Sequence, residues 1–275
     1  MIDLHLHTTA SDGRLTPTEL VAHAAASGVR ILAVTDHDTT DGFDEAAAEA
    51  SRRGVLLIPG IEITAVDRGR DVHMLGYFFD RRDGAFAQFL TAQRATRIAR
   101  IVDIANRLGS LGMPVDVQPV LEEAQRQSSK SIGRPRLARA MIDAGYVATT
   151  QEAFDKWLGR GCPAFIERPG ASPEEVIGIV HRAGGLVSLA HPGRTLIDDR
   201  IAALRSAGLD AIEVYHSDHD ASAVTAYLAM ARQLDCMVTG GSDFHGDPAH
   251  GIAPGASVLP ESEWTRLVGA RRTDG

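Results

Sequence analysis

Two histidines near the start of the chain, His5 and His7, alternate with the apolar residues Leu4 and Leu6. Side chains at positions i and i+2 of a β-strand lie on the same face, so we expect the two imidazoles to lie side by side. Asp12 follows in a predicted turn. Two imidazoles with a carboxylate nearby are typical ligands of a divalent metal ion. A complete site needs further ligands from elsewhere in the chain.

Such residues occur repeatedly at or near the ends of the predicted strands. They are His37, Glu62, His73, His191, His216, Asp243 and His245. In a parallel α/β barrel the carboxyl ends of the strands form one face, where active sites are built from residues that are distant in sequence. We therefore expect these side chains to meet at that face. A single histidine is often an ordinary surface or core residue, but a set of this size is not explained in that way.

The elements that position these residues follow a strand–helix–strand rhythm. Seven mostly apolar segments are predicted as strands, over 1–7, 29–37, 55–63, 72–79, 185–191, 210–216 and 236–245. Helices are predicted over 17–27, 41–53, 173–183, 201–207 and 221–234. The first has a capping box, with Thr16 as N-cap, Pro17 at the first helical position and Glu19 at the third. This alternation predicts an α/β fold with parallel strands.

The rhythm stops between residues 81 and 160, where the pattern is helical and richer in basic residues. A long amphipathic helix is predicted over 86–108, with shorter helices over 117–127 and 135–144. This segment is far longer than a connection between a strand and a helix needs. We predict a barrel domain formed by 1–80 and 161–275, which carries the metal site, and an inserted helical subdomain at 81–160 that caps the substrate.

Composition narrows the class of protein. The chain has 275 residues, of which 44% are hydrophobic and 23% charged, which is typical of a globular enzyme. The net charge of −8 disfavours a general nucleic-acid surface. Its two cysteines have no CxxC spacing, so neither a thiolate metal site nor a disulfide framework is expected. We find no membrane-spanning run and no signal peptide, and we expect a cytoplasmic protein with no obligate protein partner.

The chain resembles the metal-dependent phosphoesterases of the PHP (polymerase and histidinol phosphatase) domain family. The matching motifs are Asp3-Leu-His5-Leu-His7, Ser11-Asp12-Gly13, Thr35-Asp36-His37, Gly60-Ile-Glu62, His73-Met-Leu-Gly-Tyr77, Ala190-His191-Pro192-Gly193 and Gly241-Ser-Asp243-Phe-His245. The family fold is a distorted (β/α)7 barrel, which agrees with the predicted strands. The branch with an inserted helical domain is the most similar. That branch resembles nucleotide phosphatases, including ones that act on nucleoside 3′,5′-bisphosphates and on 5′-terminal nucleotides of short RNA.

The resemblance implies two or three divalent metal ions. In a three-metal site, the first would bind His5, His7, Glu62 and Asp243, the second Glu62, His73 and His191, and the third Asp12, His37 and His245. All these ligands offer nitrogen or oxygen, which suits Mn, Fe or Zn, and we expect Mn first. We expect Asp12, His216 and Asp243 to be catalytic. The expected reaction is in-line attack by a metal-activated hydroxide on phosphorus, with no covalent enzyme intermediate.

A phosphorylated substrate needs cationic side chains besides the metals. The candidates are Lys130, Arg134, Arg136 and Arg194, because arginine in particular can engage two phosphate oxygens at once. For Lys130 and Arg136, a solvated charge at a helix start is an equal alternative. Members of the family often have histidine where this chain has Arg136. His216 could contact phosphate, donate a proton to the leaving group, or have a structural role. His181, His219 and His250 are expected at the surface.

The expected function is hydrolysis of a phosphomonoester of a small nucleotide, either a nucleoside 3′,5′-bisphosphate or a 5′-mononucleotide. Three alternatives stay open. The first is a histidinol-phosphate phosphatase, and the second is a 5′→3′ exonuclease on short RNA. The third, from a different class, is a non-catalytic module stabilised by metal.

Overall fold

Seven β-strands form a single sheet in the computed structural model, which describes residues 1–126, 133–247 and 251–271. The strands are β1 (Ile2–Asp3), β2 (Ile31–Val34), β3 (Leu56–Asp67), β4 (Arg70–Tyr77), β5 (Leu186–Leu189), β6 (Ala211–His216) and β7 (Met237–Gly241). They lie side by side in chain order. A parallel bridge between Leu6 and Phe244 joins the first strand region to the last. The sheet therefore curls into a nearly closed barrel, and the predicted number of strands is confirmed.

The direction of β4 differs from the prediction. The strand pairs antiparallel with both β3 and β5, whereas the other neighbouring strands pair in parallel. The cause is the turn between Asp67 and Arg70, where Arg68 and Gly69 have φ of +48° and +72°. Two successive positive φ angles are typical of a two-residue hairpin turn, so the chain returns directly with no crossover helix. The start of β4 consequently lies at the carboxyl ends of the parallel strands.

Helices surround the barrel and fill the segment between β4 and β5. They are α1 (Pro17–Ala26), α2 (Phe43–Arg53), α3 (Gly84–Ser110), α4 (Gln118–Arg126), α5 (Arg134–Asp143), α6 (Thr150–Ala153) followed by a π-helical turn (Phe154–Leu158), α7 (Pro173–Arg182), α8 (Pro192–Thr195), α9 (Asp198–Ser206), α10 (Ala221–Gln233) and α11 (Glu261–Gly269). The capping box at Thr16 and Glu19 is present as predicted. The sequence patterns missed α6, the π-helical turn, α8 and α11.

The apolar side chains form separate clusters. The largest lies between the barrel strands and the surrounding helices and includes Tyr77 and Ile61, both fully buried. Another consists of α1 packed on the first strands. A third lies among the helices between β4 and β5, with Leu108, Leu137 and Leu158 all at 0% exposure. Burying such a leucine stabilises the fold by about 1.5–3 kcal/mol, so these helices have a core of their own.

None of the helices in the described part of the chain combines the length and the apolar character that a membrane span requires.

Candidate active site

His5 and His7 lie side by side as predicted, with ring centroids 5.2 Å apart and both side chains fully buried. Backbone bonds with the last strand region hold them in the barrel mouth. The Asp243 N–H donates to the His5 carbonyl at 2.9 Å. Gly241 lies so close to His5 that a Cβ on the glycine would come within 2.4 Å of it. The close approach of these two segments therefore requires glycine at this position.

Glu62, at 1% exposure, lies at the centre of the histidines. Its Oε2 lies 3.3 Å from His5 Nε2 and 3.2 Å from His7 Nε2. Its Oε1 lies 2.8 Å from His73 Nδ1 and 3.1 Å from His191 Nε2. One carboxylate thus presents its two oxygens to two different groups of imidazoles. That is the arrangement needed to bridge two cations.

Asp243 provides a second shared carboxylate. Its Oδ1 lies 3.3 Å from His5 Nε2 and 3.2 Å from His7 Nε2. Its backbone has a φ of +54°, and His191 has a φ of +26°. Non-glycine residues in this region carry strain of about 1–3 kcal/mol, which is typical of functional sites. The strained backbone therefore occurs at two of the predicted metal ligands.

Asp12 lies close to a further group of imidazoles. Its carboxylate oxygens lie 3.5 Å from His7 Nδ1, 3.7 Å from His37 Nε2 and 3.4 Å from His245 Nε2. Asp36 holds the loop that carries Asp12, since its carboxylate accepts hydrogen bonds from Thr8 and Ser11. All nine predicted ligands therefore converge on one end of the barrel.

The hydrogen bonds within the cluster do not satisfy all of its buried polar atoms. Several buried atoms in this cluster have no hydrogen-bond partner, although acceptors or donors lie within about 3.3 Å of most of them. They are His5 Nε2, His7 Nδ1, His7 Nε2, His37 Nδ1, His191 Nδ1 and Glu62 Oε2. Orphaned buried polar atoms are costly unless a further group satisfies them. A set of nitrogen and oxygen donors without thiolate fits divalent metal ions.

The electrostatics of the cluster favour a cation. Burial alone would raise the pKa of the Glu62 carboxyl, but His37, His73 and His5 hold it well below its usual value. Burial would lower the pKa of His7, yet Asp243 and Glu62 raise it to about 10. Burial lowers the pKa of His37 to about 3, and the carboxylates only partly offset this. The ionised carboxylates thus stabilise a proton on the His7 ring, which a metal ion bound to that ring would displace.

The cluster lines a cleft of about 720 Å³ that is also lined by several arginines. Arg97 on α3 pairs with the buried Asp38 and with Thr64. Arg168 lies 3.6 Å from Asp38 and is 5% exposed. Burial and the nearby Arg97 lower the pKa of Arg168 to about 10. Positive charge is therefore concentrated beside the metal ligands, because Asp38 directly follows His37.

A second set of arginines contacts Asp71, whose side chain lies on the same face of β4 as His73. Arg100 and Arg134 lie 3.1 Å and 2.8 Å from its Oδ2. The rings of Phe165 and Phe154 lie beneath these two guanidinium groups, at 5.4 Å and 5.5 Å. Both rings also line the cleft. The lining of the cleft therefore combines carboxylates and imidazoles with arginines and aromatic rings.

Comparison with known proteins identifies the family. The model of the PHP domain family matches residues 3–146, more than half of the chain. The chain belongs to the PHP domain family. A 5′-3′ exoribonuclease of Haemophilus influenzae is 35% identical over 248 residues, 88% of this chain and 89% of the relative. A 3′,5′-nucleoside bisphosphate phosphatase of Chromobacterium violaceum is 35% identical over 251 residues, 89% and 87% of the two chains.

A solved structure supports the same family assignment for the fold. A solved structure from Bifidobacterium adolescentis, described as a candidate metal-dependent phosphoesterase, has a TM-score of 0.87 and 35% identity, and the match covers 99% of this chain and 96% of that one. The predicted distorted barrel of the PHP type is confirmed. The predicted activity class is confirmed as well: the protein is a metal-dependent phosphoesterase that uses divalent cations.

The predicted substrate residues of this PHP protein fall in different places. Arg134 lines the cleft, and Arg194 lies at its rim, 3.3 Å from Asp243 Oδ2. Arg136 is not among the described residues that line the cleft, and it pairs with Glu123 at 3.0 Å on the surface. Lys130 lies outside the described residues. The structure therefore brings two of the four candidates to the site.

His216 is fully buried and is not among the residues that line the cleft. Its Nδ1 accepts a hydrogen bond from the Asp218 N–H, so the proton of a neutral ring is on Nε2. That atom lies 3.4 Å from Asp243 Oδ2. The geometry directs His216 at a carboxylate of the cluster and not at the space where a substrate would bind.

The prediction that His219 lies at the surface is wrong, because this residue is only 9% exposed. Its Nδ1 donates to the Val214 carbonyl at 2.9 Å, and its Nε2 accepts from the Gly193 N–H at 3.2 Å. Both ring nitrogens are therefore satisfied, and the ring supports the segment that carries His191. His250 lies outside the described residues.

Sequence patterns missed Glu213 and two arginines of the insert, Arg97 and Arg100. The sequence feature that could have identified Glu213 is its position as an isolated carboxylate in an apolar strand. Arg97 and Arg100 are three residues apart on α3 and so share a face. Charged residues with that spacing are equally typical of a solvent-exposed helix face, so the spacing alone does not identify them as site residues.

Proposed function

We propose that this phosphoesterase hydrolyses a phosphomonoester of a small nucleotide, a nucleoside 3′,5′-bisphosphate or a 5′-mononucleotide. The observation that carries the proposal is the mixed lining of the cleft. The metal ligands would hold the scissile phosphate, while the arginines and phenyl rings suit a further phosphate and a base. A volume of about 720 Å³ is in the range of small-molecule sites.

The metal assignment in this proposal has three groups. They are His5, His7, Glu62 and Asp243; Glu62, His73 and His191; and Asp12, His37 and His245. The first and third groups each converge closely enough to hold an ion, with His7 also within reach of the third. Divalent ions, Mn being the first choice, would supply a Lewis acid for the phosphate and lower the pKa of water. Asp12 lines the cleft, and His37 and His245 hold its pKa well below the usual value despite burial, so it stays ionised and can act there as an anionic ligand.

Charge balance supports a substrate with more than one phosphate. Among the described residues of the cleft wall, the four arginines Arg97, Arg100, Arg134 and Arg168 form ion pairs with two carboxylates, those of Asp38 and Asp71. Four positive charges against two negative charges leave a surplus of two. Asp71 lies two residues from His73, about 7 Å along the strand. A second phosphate of the same molecule could therefore reach the arginines while the first lies at the metal ligands.

Residues 81–160 are proposed to form a subdomain that caps the substrate. The support is the separate apolar cluster of these helices and the side chains that they extend over the cleft, Arg97, Arg100, Arg134 and Phe154. Phenyl rings offer a flat apolar face on which a nucleobase can stack. A cap of this kind would determine which leaving group is accepted and would leave the metal ligands to the barrel.

A 5′→3′ exonuclease on short RNA is the second candidate. Arg70, Arg160 and Arg194 are exposed at the rim of the cleft, where they could follow a phosphate backbone that leaves the site. The Haemophilus influenzae relative carries this name. The two activities break the same kind of bond, so substrate ranking separates them.

The testing experiment measures phosphate or nucleotide release with Mn²⁺ from four compounds in parallel. These are a nucleoside 3′,5′-bisphosphate, a 5′-mononucleotide, a short 5′-phosphorylated RNA and histidinol phosphate. Fastest turnover of the bisphosphate or the mononucleotide supports the proposal, and a preference for RNA supports the exonuclease. Turnover of histidinol phosphate alone overturns the nucleotide assignment. No turnover by metal-loaded protein would indicate a non-catalytic module.

We also propose a cytoplasmic location, supported by the free state of both cysteines, Cys162 and Cys236, which is usual where thiols are kept reduced.

A further inference from the structure

Glu213 lies beneath the ligand cluster with no exposed surface. It belongs to β6, where the pairing with β7 slips between Glu213 and Tyr215. Such a β-bulge shifts the alternation of side chains, so that Glu213 and His216 can both point into the barrel although they are three residues apart. The bulge therefore adds a buried carboxylate on the inner side of the metal ligands.

The carboxylate of Glu213 makes two direct contacts with ligand residues. Its Oε1 lies 2.9 Å from His5 Nδ1, and its Oε2 accepts the backbone N–H of His191 at 2.8 Å. A carboxylate oxygen accepts hydrogen bonds, so the contact with Glu213 Oε1 places the ring proton of His5 on Nδ1.

The consequence for His5 is a fixed tautomer. With the proton on Nδ1, the lone pair of a neutral ring is on Nε2, the atom that lies 3.3 Å from both Glu62 Oε2 and Asp243 Oδ1. The consequence for His191 is a fixed backbone. Its φ of +26° is strained, and the N–H of that residue is held by the same carboxylate. One side chain thus orients two candidate ligands that come from different strands.

We propose that Glu213 is the positioning residue of the metal centre, which fixes the Nε2 lone pair of His5 and the strained backbone of His191 for metal binding. This inference rests on the proposed ligand assignment. Removing such an outer partner typically weakens metal binding by about 10- to 100-fold.

The matched pair of variants is Glu213→Gln and Asp210→Asn. Asp210 directly precedes β6 and makes the same two kinds of contact, with His181 Nε2 at 2.7 Å and with the Val187 N–H at 2.8 Å. It lies at the opposite end of the strand from the cluster. Both substitutions keep the side-chain volume and replace one acceptor oxygen by a donor. Only Glu213→Gln does so beside proposed ligands.

The experiment titrates Mn²⁺ into metal-free full-length protein and records unfolding midpoints without metal. We expect Glu213→Gln to bind Mn²⁺ about 10- to 100-fold more weakly, and Asp210→Asn to bind within about twofold of the wild type, while both variants lose thermal stability. Unchanged Mn²⁺ binding by Glu213→Gln, or equal weakening in both variants, would overturn the inference. Absence of Mn²⁺ binding by the wild type would instead refute the proposed function.

If Glu213→Gln does not fold, the wild type provides the test. Long-range proton–nitrogen spectra of Zn²⁺-loaded, ¹⁵N-histidine-labelled protein report which ring nitrogen of each histidine carries a proton. The inference predicts a protonated Nδ1 on His5, identified by comparison with His5→Gln. A His5 ring that binds metal through Nδ1 would contradict it, as would an ion bound among His5, Glu213 and His216.

Discussion

Glu62 and His73 lie on the antiparallel strands β3 and β4, and Glu62 Oε1 approaches His73 Nδ1 to 2.8 Å. The reversed direction of β4 makes this contact possible, because it places the start of that strand beside the carboxyl ends of the others. Glu62 directs its other oxygen at His5 and His7. This carboxylate therefore links the parallel and antiparallel parts of the barrel at the site.

Glu62→Gln should weaken Mn²⁺ binding by more than about 100-fold and abolish phosphate release. The reason is that loss of an outer partner alone typically costs about 10- to 100-fold, and Glu62 is a proposed bridging ligand. Calorimetric titration with Mn²⁺ measures the effect. Glu49→Gln is the control, since Glu49 is a buried carboxylate on α2 that pairs with Arg52 and Arg53 away from the cleft. Equal metal binding by the two variants would be incompatible with a bridging role.

Arg134→Gln should raise KM for a nucleoside 3′,5′-bisphosphate by about 10- to 100-fold, the value of one charged hydrogen bond. The control is Arg136→Gln, on the same helix but paired with Glu123 outside the cleft. We expect it to leave KM unchanged. Steady-state kinetics at fixed Mn²⁺ distinguish the two, and a larger effect of Arg136→Gln would contradict the assigned phosphate contact.

The pKa of His7 predicts the alkaline stability of the metal-free protein. Asp243 and Glu62 raise it to about 10 from an ordinary value of 6.5, against the effect of burial. A histidine whose pKa is raised by folding stabilises the folded protein fully below pH 6.5. That contribution is lost as the pH rises through the pKa that the histidine has in the folded protein. We expect the unfolding midpoint of metal-free protein to fall between pH 6.5 and about 10. Saturation with Mn²⁺ should remove the decline, since a metal-bound His7 has no such proton to lose. A midpoint that rises over this range without metal would disagree.

His216→Gln should lower the affinity for Mn²⁺ and leave KM for the nucleotide within about twofold. The ring is buried and directed at Asp243, so it orients a proposed ligand and does not contact substrate. Metal titration and kinetics at saturating Mn²⁺ test this together. A large rise in KM with normal metal binding would instead favour a substrate contact.

Leu137→Ala should destabilise the helices between β4 and β5 by about 2–5 kcal/mol, because the side chain is fully buried in their separate cluster. We expect weaker substrate binding and unchanged Mn²⁺ affinity, since the residue is on the helix that carries Arg134. Denaturant unfolding with parallel metal titration provides the measurement. Loss of Mn²⁺ affinity would show that these helices help to build the metal centre, contrary to the proposed division.

The gathering of the candidate ligands could be predicted from the sequence because strands impose simple rules. Alternation along the first strand places His5 and His7 together, and strand ends converge at one face of a barrel. The same rules do not give the direction of β4. That direction depends on positive φ angles at Arg68 and Gly69, which the sequence pattern around them did not make evident.

Other features depend on tertiary contacts that local patterns do not contain. A bulge in β6 changes which side chains face inward. The sequence pattern does not reveal this bulge and shows Glu213 only as a charged residue in an apolar strand. The position of Arg97 in the site depends on its contacts with Asp38 and Thr64, which are distant in sequence. Arg136 and Arg134 have the same local setting, yet only Arg134 lines the cleft. The two arginines differ in their ion-pair partners in the folded structure.

The most direct test of nucleotide hydrolysis at this site is Mn²⁺-dependent phosphate release from a nucleoside 3′,5′-bisphosphate, measured on wild-type protein and on Asp243→Asn. We predict no release after chelation, full recovery on adding Mn²⁺ to the wild type, and at least about a 100-fold lower rate for the variant. Equal release by the variant, or no release by wild-type protein that demonstrably holds Mn²⁺, would contradict the account.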